Sequence, residues 1–343
     1  VHLFLIGKRL NPFYTFEIHY LFYPMKRLII GLVVLSIISV FALTSCSRLM
    51  GGGKVQLAFV TNNKSPFWVI AQAGCIEAQK KLGDVEVDFY MPSSGMASEQ
   101  REILESLAKS GVDGIAVSPI NPSSEIGFLN SIAARTLLVC HDSDAPDSDR
   151  VCYIGTDNVA AGETAGKLLL EALPEGGKVM VFVGSMNAQN AMERFKGLKR
   201  VLAGSEVEIL DVRIDHADRD IAFKNAEATL QEYPDLAGVV GLWSYNGLAL
   251  LHAVTEAGKL EQVKIVCFDE ESEVLAGVAS GAIYGTVVQQ PFEIGEQVVT
   301  RMRNYLKGDT EALTGGNLYV PVLAIKRQNV SEFEAKLKSI LDK

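Results

Sequence analysis

From Lys54 onward, short apolar runs alternate with longer stretches of helical spacing. Val55–Val60 is an apolar run of strand length and predicts a buried strand. Ser65 followed by Pro66 places a capping residue before a proline at the first helical position. The helix opened there extends to Gly83, a C-cap. Val85–Tyr90 alternates as a second strand. Ser98–Ser110 carries Ile103, Leu104 and Leu107 at helical spacing and is closed by Gly111. Gly114–Ser118 predicts a third strand, Pro122–Ala134 a helix and Thr136–Cys140 a fourth strand. Strands alternating with helices in this way imply parallel βαβ units.

The pattern then repeats. Lys54–Thr61 is echoed by Lys178–Ser185, Val112–Asn121 by Leu236–Asn246, and Leu138–Asp142 by Val266–Asp269. Thr61 to Asn121 spans 60 residues and Ser185 to Asn246 spans 61; Asn121 to Asp142 spans 21 and Asn246 to Asp269 spans 23. Two copies of so long a unit are a tandem pair of lobes, not a solenoid. The expected fold is α/β, with two doubly wound, Rossmann-like lobes built on parallel sheets. In each lobe polar residues fall just past the carboxyl end of a strand, where open α/β sheets bind ligands. Two such edges facing each other make a cleft.

The candidate chemistry lies at those edges. Asp142 and Asp269 each end an apolar strand. A carboxylate there either bridges adjacent hydroxyls of a polyol or caps a turn. Phe67 and Trp68, at the first helix start, and Trp243 and Tyr245, after a strand of the second lobe, either face a sugar ring or fill the core. Lys64, in the same loop as Ser65, either donates to a ligand oxygen or is solvated. Ser143, Asp144 and Asp147 accompany Asp142. His141 and His216 match no metal-binding spacing, and no catalytic triad order, nucleophile elbow or zinc-protease motif is visible. Gly51–Lys54 and Gly176–Lys178 precede strands, which fits a tether and a turn better than a phosphate loop. Neither catalysis nor a cofactor is expected. Cys140 and Cys267 read as buried small hydrophobes. Cys140 and Cys152 could pair in an oxidising compartment.

Composition separates the chain into two objects. Lys8, Arg9, Lys26 and Arg27 stand against Glu17 alone in residues 1–45, a net charge of +3 in a chain of net −9, so the remainder carries −12. That sign excludes a basic nucleic-acid binder. From Met25, two basic residues precede Leu28–Leu43, whose sixteen residues include thirteen apolar ones. This reads as a signal peptide over 25–45, with an uncleaved membrane anchor as the alternative. Leu43–Cys46 resembles the lipobox of bacterial lipoproteins, which implies cleavage before Cys46 and its acylation. Residues 46–53 become anchor and tether. The aromatic-rich residues 1–24 are expected to lie upstream of the true start at Met25.

From Lys54 to about Gln328 the chain resembles periplasmic sugar-binding proteins of the ribose-binding type (periplasmic binding protein-like I). The matching stretches are Ser65–Trp68, Asp142–Pro146, Tyr153–Asn158, Asn190–Gly197, Phe268–Asp269 and Val287–Pro291. The resemblance implies a three-segment hinge near Thr156–Asp157, Gln289–Gln290 and Leu318–Pro321. The lobes would be 54–156 with 290–318, and 157–289 with 319–328, followed by a terminal helix in 329–343. It implies contacts to a sugar from Thr61, Ser65, Phe67, Trp68, Asp142, Tyr245 or Asn246, Asp269 and Gln289. Asn190 and Arg194 sit beside the cleft, with Arg194 serving either ligand or fold. Ribose binders carry Arg where Ser143 and Met192 stand here, which removes two bidentate donors and argues against ribose itself. The implied function is a monomeric, exported, lipid-anchored receptor delivering a monosaccharide to an ABC permease. A membrane-tethered sugar sensor shares the same site.

Overall fold

The computed structural model describes residues 53–341. The leader, Cys46 and the upstream segment lie outside the described residues. No helix among the described residues is long and apolar enough to cross a membrane.

The alternation of runs becomes two six-stranded sheets. The first has the order β2 (Val85–Tyr90), β1 (Val55–Val60), β3 (Gly114–Val117), β4 (Leu137–His141), β5 (Cys152–Thr156) and β11 (Asn317–Val320), all parallel. The second repeats it: β7 (Val207–Ile214), β6 (Gly177–Val183), β8 (Gly238–Gly241), β9 (Lys264–Phe268), β10 (Gly285–Val288) and β12 (Leu323–Lys326). Here β12 is antiparallel to β10, a departure from the all-parallel expectation. Residues 321–322 alone join β11 to β12. So short a link reaches the second sheet only at its facing edge, and the strand must run away from it.

Each sheet is covered on both faces, which explains the near-continuous apolar strands. Against the first sheet, α1 (Pro66–Leu82) and α9 (Pro291–Leu306) cover one face, and α2 (Ala97–Ser110) and α3 (Pro122–Ala133) the other. Against the second, α4 (Asn158–Ala172) and α5 (Gln189–Leu202) oppose α6 (Arg219–Glu232), α7 (Ser244–Glu256) and α8 (Ser272–Ser280). Gly83 and Gly111 end α1 and α2 in the left-handed conformation, as their positions predict. The last helix, α10 (Val330–Leu341), packs on α8 and β12 and also reaches α1.

The chain passes between sheets at Asp157, at Gln289–Gln290 and at Pro321–Val322. Tyr319 and Val320 still pair with Gly155 and Thr156, so the third passage lies two residues beyond the boundary drawn from the sequence. Pro321 has no N–H to continue the ladder. Side chains tie the passages together: Thr156 Oγ1 donates to Gln289 Oε1 (2.9 Å), and Gln290 Nε2 donates to the Pro321 carbonyl (2.9 Å).

The four described cysteines are buried free thiols. Cys152 is in register with Val139, so Cys140 points to the opposite face of the sheet and the two cannot pair. Cys140 belongs to the core under α2 and α3, and Cys152 to the core under α1 and α9. Burial pushes the Cys267 thiol up to about 12.

Candidate functional site

The apolar strands β4 and β9 each end in a buried aspartate. Asp142 (φ 57°) and Asp269 (φ 68°) both adopt the left-handed conformation, which non-glycine residues rarely take and Asp tolerates better than most. The surrounding fold holds both turns. The Asp142 carbonyl accepts from Tyr153 Oη (3.0 Å) and Asn158 Nδ2 (3.2 Å), and the Asp269 carbonyl from Thr286 Oγ1 (2.7 Å). The sequence echo between the lobes is therefore an echo in backbone geometry as well. Both side chains line a small cleft between the facing sheet edges.

Donors converge on these carboxylates. Asp142 Oδ2 accepts from Ser118 Oγ (2.7 Å) and Asn62 Nδ2 (3.1 Å), and Asn190 Nδ2 lies 3.3 Å from both of its oxygens. Asp269 Oδ1 accepts from Gln289 Nε2 (2.9 Å), which links the cleft to the Thr156–Gln289 tie between the sheets. Arg194 is 1 % exposed. Its Nε donates to Asn158 Oδ1 (2.9 Å), its Nη1 to the Leu242 carbonyl (2.8 Å), and its guanidinium lies over the Phe268 ring. Its Nη2 lies 3.9 Å from Asp142 Oδ1. Arg194 therefore serves fold and cleft at once. Burial raises Asp142 above the ordinary carboxylate range, and it raises Asp269 to about 6; the Arg194 charge opposes the rise at both.

Aromatic walls complete the cleft. Phe67 and Trp68 meet edge to face at 4.8 Å, and Trp68 Nε1 donates to Asn63 Oδ1 (3.1 Å). Behind Trp68, His141 stacks on Phe59 at 3.9 Å. Both its ring nitrogens lack partners, and burial pushes its pKa down to about 3, so it is a neutral packing group. On the other side Trp243 and Tyr245 pack at 71°. Gly184 makes room for them, since a Cβ there would lie 2.0 Å from the Trp243 ring. Ser65 also lines the cleft, and its hydroxyl makes no cap bond, although it stands at the helix N-cap.

Of the residues singled out in the sequence, Ser65, Phe67, Trp68, Asp142, Asn190, Arg194, Trp243, Tyr245, Asp269 and Gln289 line this one cleft. Four others do not line the cleft. Thr61 N donates to the Tyr90 carbonyl, so Thr61 continues the sheet edge; its side chain is buried, with the hydroxyl bonded to the Asn63 carbonyl. Lys64 is exposed and lines a separate groove. Ser143 is fully buried and is not among the residues that line the cleft. Asn246 is consumed by the fold: its Oδ1 accepts from Trp243 N (3.0 Å) and its Nδ2 donates to Asp215 Oδ2 (2.9 Å).

Sequence reasoning missed Asn62, Asn63 and Ser244 in the lining, and Asp215 behind it. Asp215 Oδ1 receives the Tyr245 hydroxyl, which fixes the ring and leaves its oxygen only lone pairs to offer. Among the described residues, no group of three or more His, Cys, Asp or Glu side chains is placed to hold a metal ion.

Four buried polar atoms of cleft-lining residues have no hydrogen-bond partner in the protein: Asn62 Oδ1, Asn190 Oδ1, Arg194 Nη2 and Trp243 Nε1. Buried polar groups are ordinarily paired. Two acceptors, two donors and two carboxylates in one small cleft suit a ligand whose groups both give and accept hydrogen bonds.

Comparison with known proteins agrees with this geometry. The chain belongs to the periplasmic binding protein domain family, whose model matches residues 57–310. It is 25 % identical over 287 residues to the ribose import binding protein RbsB of Bacillus subtilis, covering 80 % of this chain and 92 % of that protein. It is 26 % identical over 242 residues to the D-allose-binding periplasmic protein of Escherichia coli, covering 67 % of this chain and 78 % of that protein. A crystal structure of an ABC transporter solute-binding protein from Burkholderia graminis in complex with D-arabinose superposes with a TM-score of 0.77 at 26 % identity, covering 82 % of this chain and 99 % of that one.

Proposed function

We propose that this protein captures a neutral monosaccharide, a pentose, hexose or related polyol, between its two lobes and delivers it to an ABC permease. The observation that carries the reading is the mixed set of unpartnered donors and acceptors beside two carboxylates in a cleft walled by aromatics. A sugar hydroxyl both donates and accepts, so a ring of hydroxyls meets such a set better than a carboxylate or an ammonium does. The ring's C–H faces would rest on Trp68 and Trp243. Relatives named for ribose, allose and arabinose support the class. Ser143 and Met192, where ribose binders carry arginine, set this site apart from ribose.

Binding would proceed by closure. Contacts from both lobes to one ligand stabilise the closed form over the open one, and the three passages supply the hinge. No covalent step is involved. A thermal-shift screen of pentoses, hexoses and polyols on the purified protein tests the reading. At a ligand concentration 100 times the dissociation constant, mass action adds about 2.7 kcal/mol of stability. The expected result is a rise in Tm with at least one sugar; no rise with any would sink the reading.

Export and anchoring complete the proposal. Leu43–Cys46 supports acylation at Cys46, which would tether the two lobes to a membrane surface. Cells expressing the chain should incorporate labelled palmitate into it, and Cys46→Ser should abolish the label. Label retained by Cys46→Ser would place the lipid elsewhere.

A further inference from the structure

Glu270 is 6 % exposed, and neither of its carboxylate oxygens has a hydrogen-bond partner on another residue. Glutamate is almost never buried unpaired. The residue directly follows Asp269, yet it does not line the sugar cleft. It borders two other cavities, and both are also lined by Ile70 of α1 and Leu337 of α10. The smaller is completed by Gln289, Gln290, Pro291 and Phe292 at the second passage and by Phe333 of α10. Glu270 is therefore covered by a seam: second-lobe chain below, first-lobe α1 and the bridging helix α10 above.

No cation in this seam neutralises it. On its own segment Asp269 and Glu271 are acidic, and Glu271 is engaged by Arg219 (2.7 Å). Exposed Glu273 stands on α8, half-buried Glu293 on α9 and half-buried Glu334 on α10. The bordering lysines, Lys64 before α1 and Lys336 and Lys338 on α10, are exposed, and among the described residues no lysine or arginine forms an ion pair with Glu270. Burial, with Asp269 and Glu271 adding to it, pushes the Glu270 carboxyl well above its ordinary range.

We propose that Glu270 couples lobe closure to proton uptake: the seam shuts over the neutral carboxylic acid, so closing takes one proton from solvent and opening returns it. The inference rests on the closure reading of the sugar site. When the lobes part, Ile70 withdraws and the carboxyl regains water and its ordinary acidity. Above that ordinary value, closing must protonate it, so sugar affinity falls as pH rises until the raised value of the closed form is passed. Capture would thus be tighter in acidic surroundings, and release would be favoured on the alkaline side.

Calorimetric titration of the full chain with D-ribose, D-allose and D-arabinose as probes tests this across about pH 5 to 7. Between the ordinary and the raised value Glu270 should contribute a loss of affinity approaching about tenfold per pH unit and a proton uptake approaching about one per sugar bound, read from buffers of differing ionisation heat. Glu270→Gln keeps the shape without the titration and should remove that proton and that slope, leaving only what Asp269 and Asp142 contribute. Should Glu270→Gln fail to fold, Glu270→Met serves. Parallel pH profiles for wild type and variant would overturn the proposal. A ligand-free arm reads the same group with the lobes open: there the carboxyl titrates as an ordinary acid, so Glu270→Gln should change Tm equally at pH 5 and pH 7, and a larger gain at pH 7 would show burial without closure and overturn the coupling. If no probe binds either protein at any pH, the sugar reading fails and the coupling falls with it, whereas binding with parallel pH profiles overturns the coupling alone.

Discussion

Replacing Arg194 by Met is expected to abolish sugar binding at neutral pH while leaving both lobes folded. The Arg194 charge reaches both cleft aspartates, and it lowers the pKa of each against the burial that raises them. Methionine keeps the volume and the packing on Phe268 but removes the charge, the bonds to Asn158 and Leu242, and the free Nη2. Two buried carboxylates would then face one ligand without a counter-charge. Truncating one partner of a buried, hydrogen-bonded charge pair at a binding site typically costs about 2–5 kcal/mol of affinity, so binding should weaken on the order of 10²- to 10³-fold.

The sign of the pH dependence separates this from simple misfolding. A carboxyl raised above its unfolded value costs stability progressively as pH climbs from that value to the folded one. For Asp269 in the wild type that window runs from 3.8 to about 6. Without Arg194 it moves upward at both aspartates, so the affinity deficit of Arg194→Met against the wild type should narrow near about pH 5, where protons replace the lost charge. Titrations at two pH values, beside far-UV circular dichroism, make the check. Unaltered binding at neutral pH, or a loss that acid does not touch, would mean that Arg194 acts otherwise.

What was readable in the sequence follows from which interactions are local. Strand and helix runs announce themselves through period and caps, so Val55–Val60 and Pro66–Leu82 fall where the pattern places them. The two aspartates were legible because each ends an apolar run, and the repeat told that the two ends are equivalent. The errors in the site are errors of one residue or of one partner. Thr61 and Asn62 are adjacent, and in extended chain a shift of one residue exchanges core for cleft. Whether the strand's pairing stops at Val60 or continues through Thr61 is decided by Tyr90 on another strand. Asn246 was drawn away from the cleft by Asp215, 31 residues distant, and nothing in the local pattern around Ile214–His216 announces that bond. Glu270 reads as an ordinary surface acid until α1 and α10 are laid over it.

The least legible feature carries the other large effect. Gly162→Ala is expected to destabilise the second lobe strongly, although helix propensity alone says the opposite. In an open helix the change should gain roughly 1 kcal/mol. Gly127, in α3 with no heavy atom near its missing Cβ, supplies that control, and Gly127→Ala should be neutral or stabilising. At Gly162 a Cβ would lie 2.0 Å from the Arg194 carbonyl oxygen and 2.8 Å from its Cα. Both contacts are backbone, so no rotamer can yield, and α4 and α5 must move apart. Gly197 meets the Val159 carbonyl from the other side, and Gly74 meets the Phe292 carbonyl where α1 crosses α9. Both lobes are thus built on glycine-mediated helix crossings. Overpacking against fixed backbone should cost about 3 kcal/mol, the upper end of the usual range, and more if the helices cannot shift as bodies. Because the struck backbone is that of Arg194, sugar affinity should fall with stability in Gly162→Ala. Urea unfolding of Gly162→Ala and Gly127→Ala, with titration of any sugar that binds, reads both. Equal stabilities for the two variants would show that α4 and α5 are not as close as their packing implies.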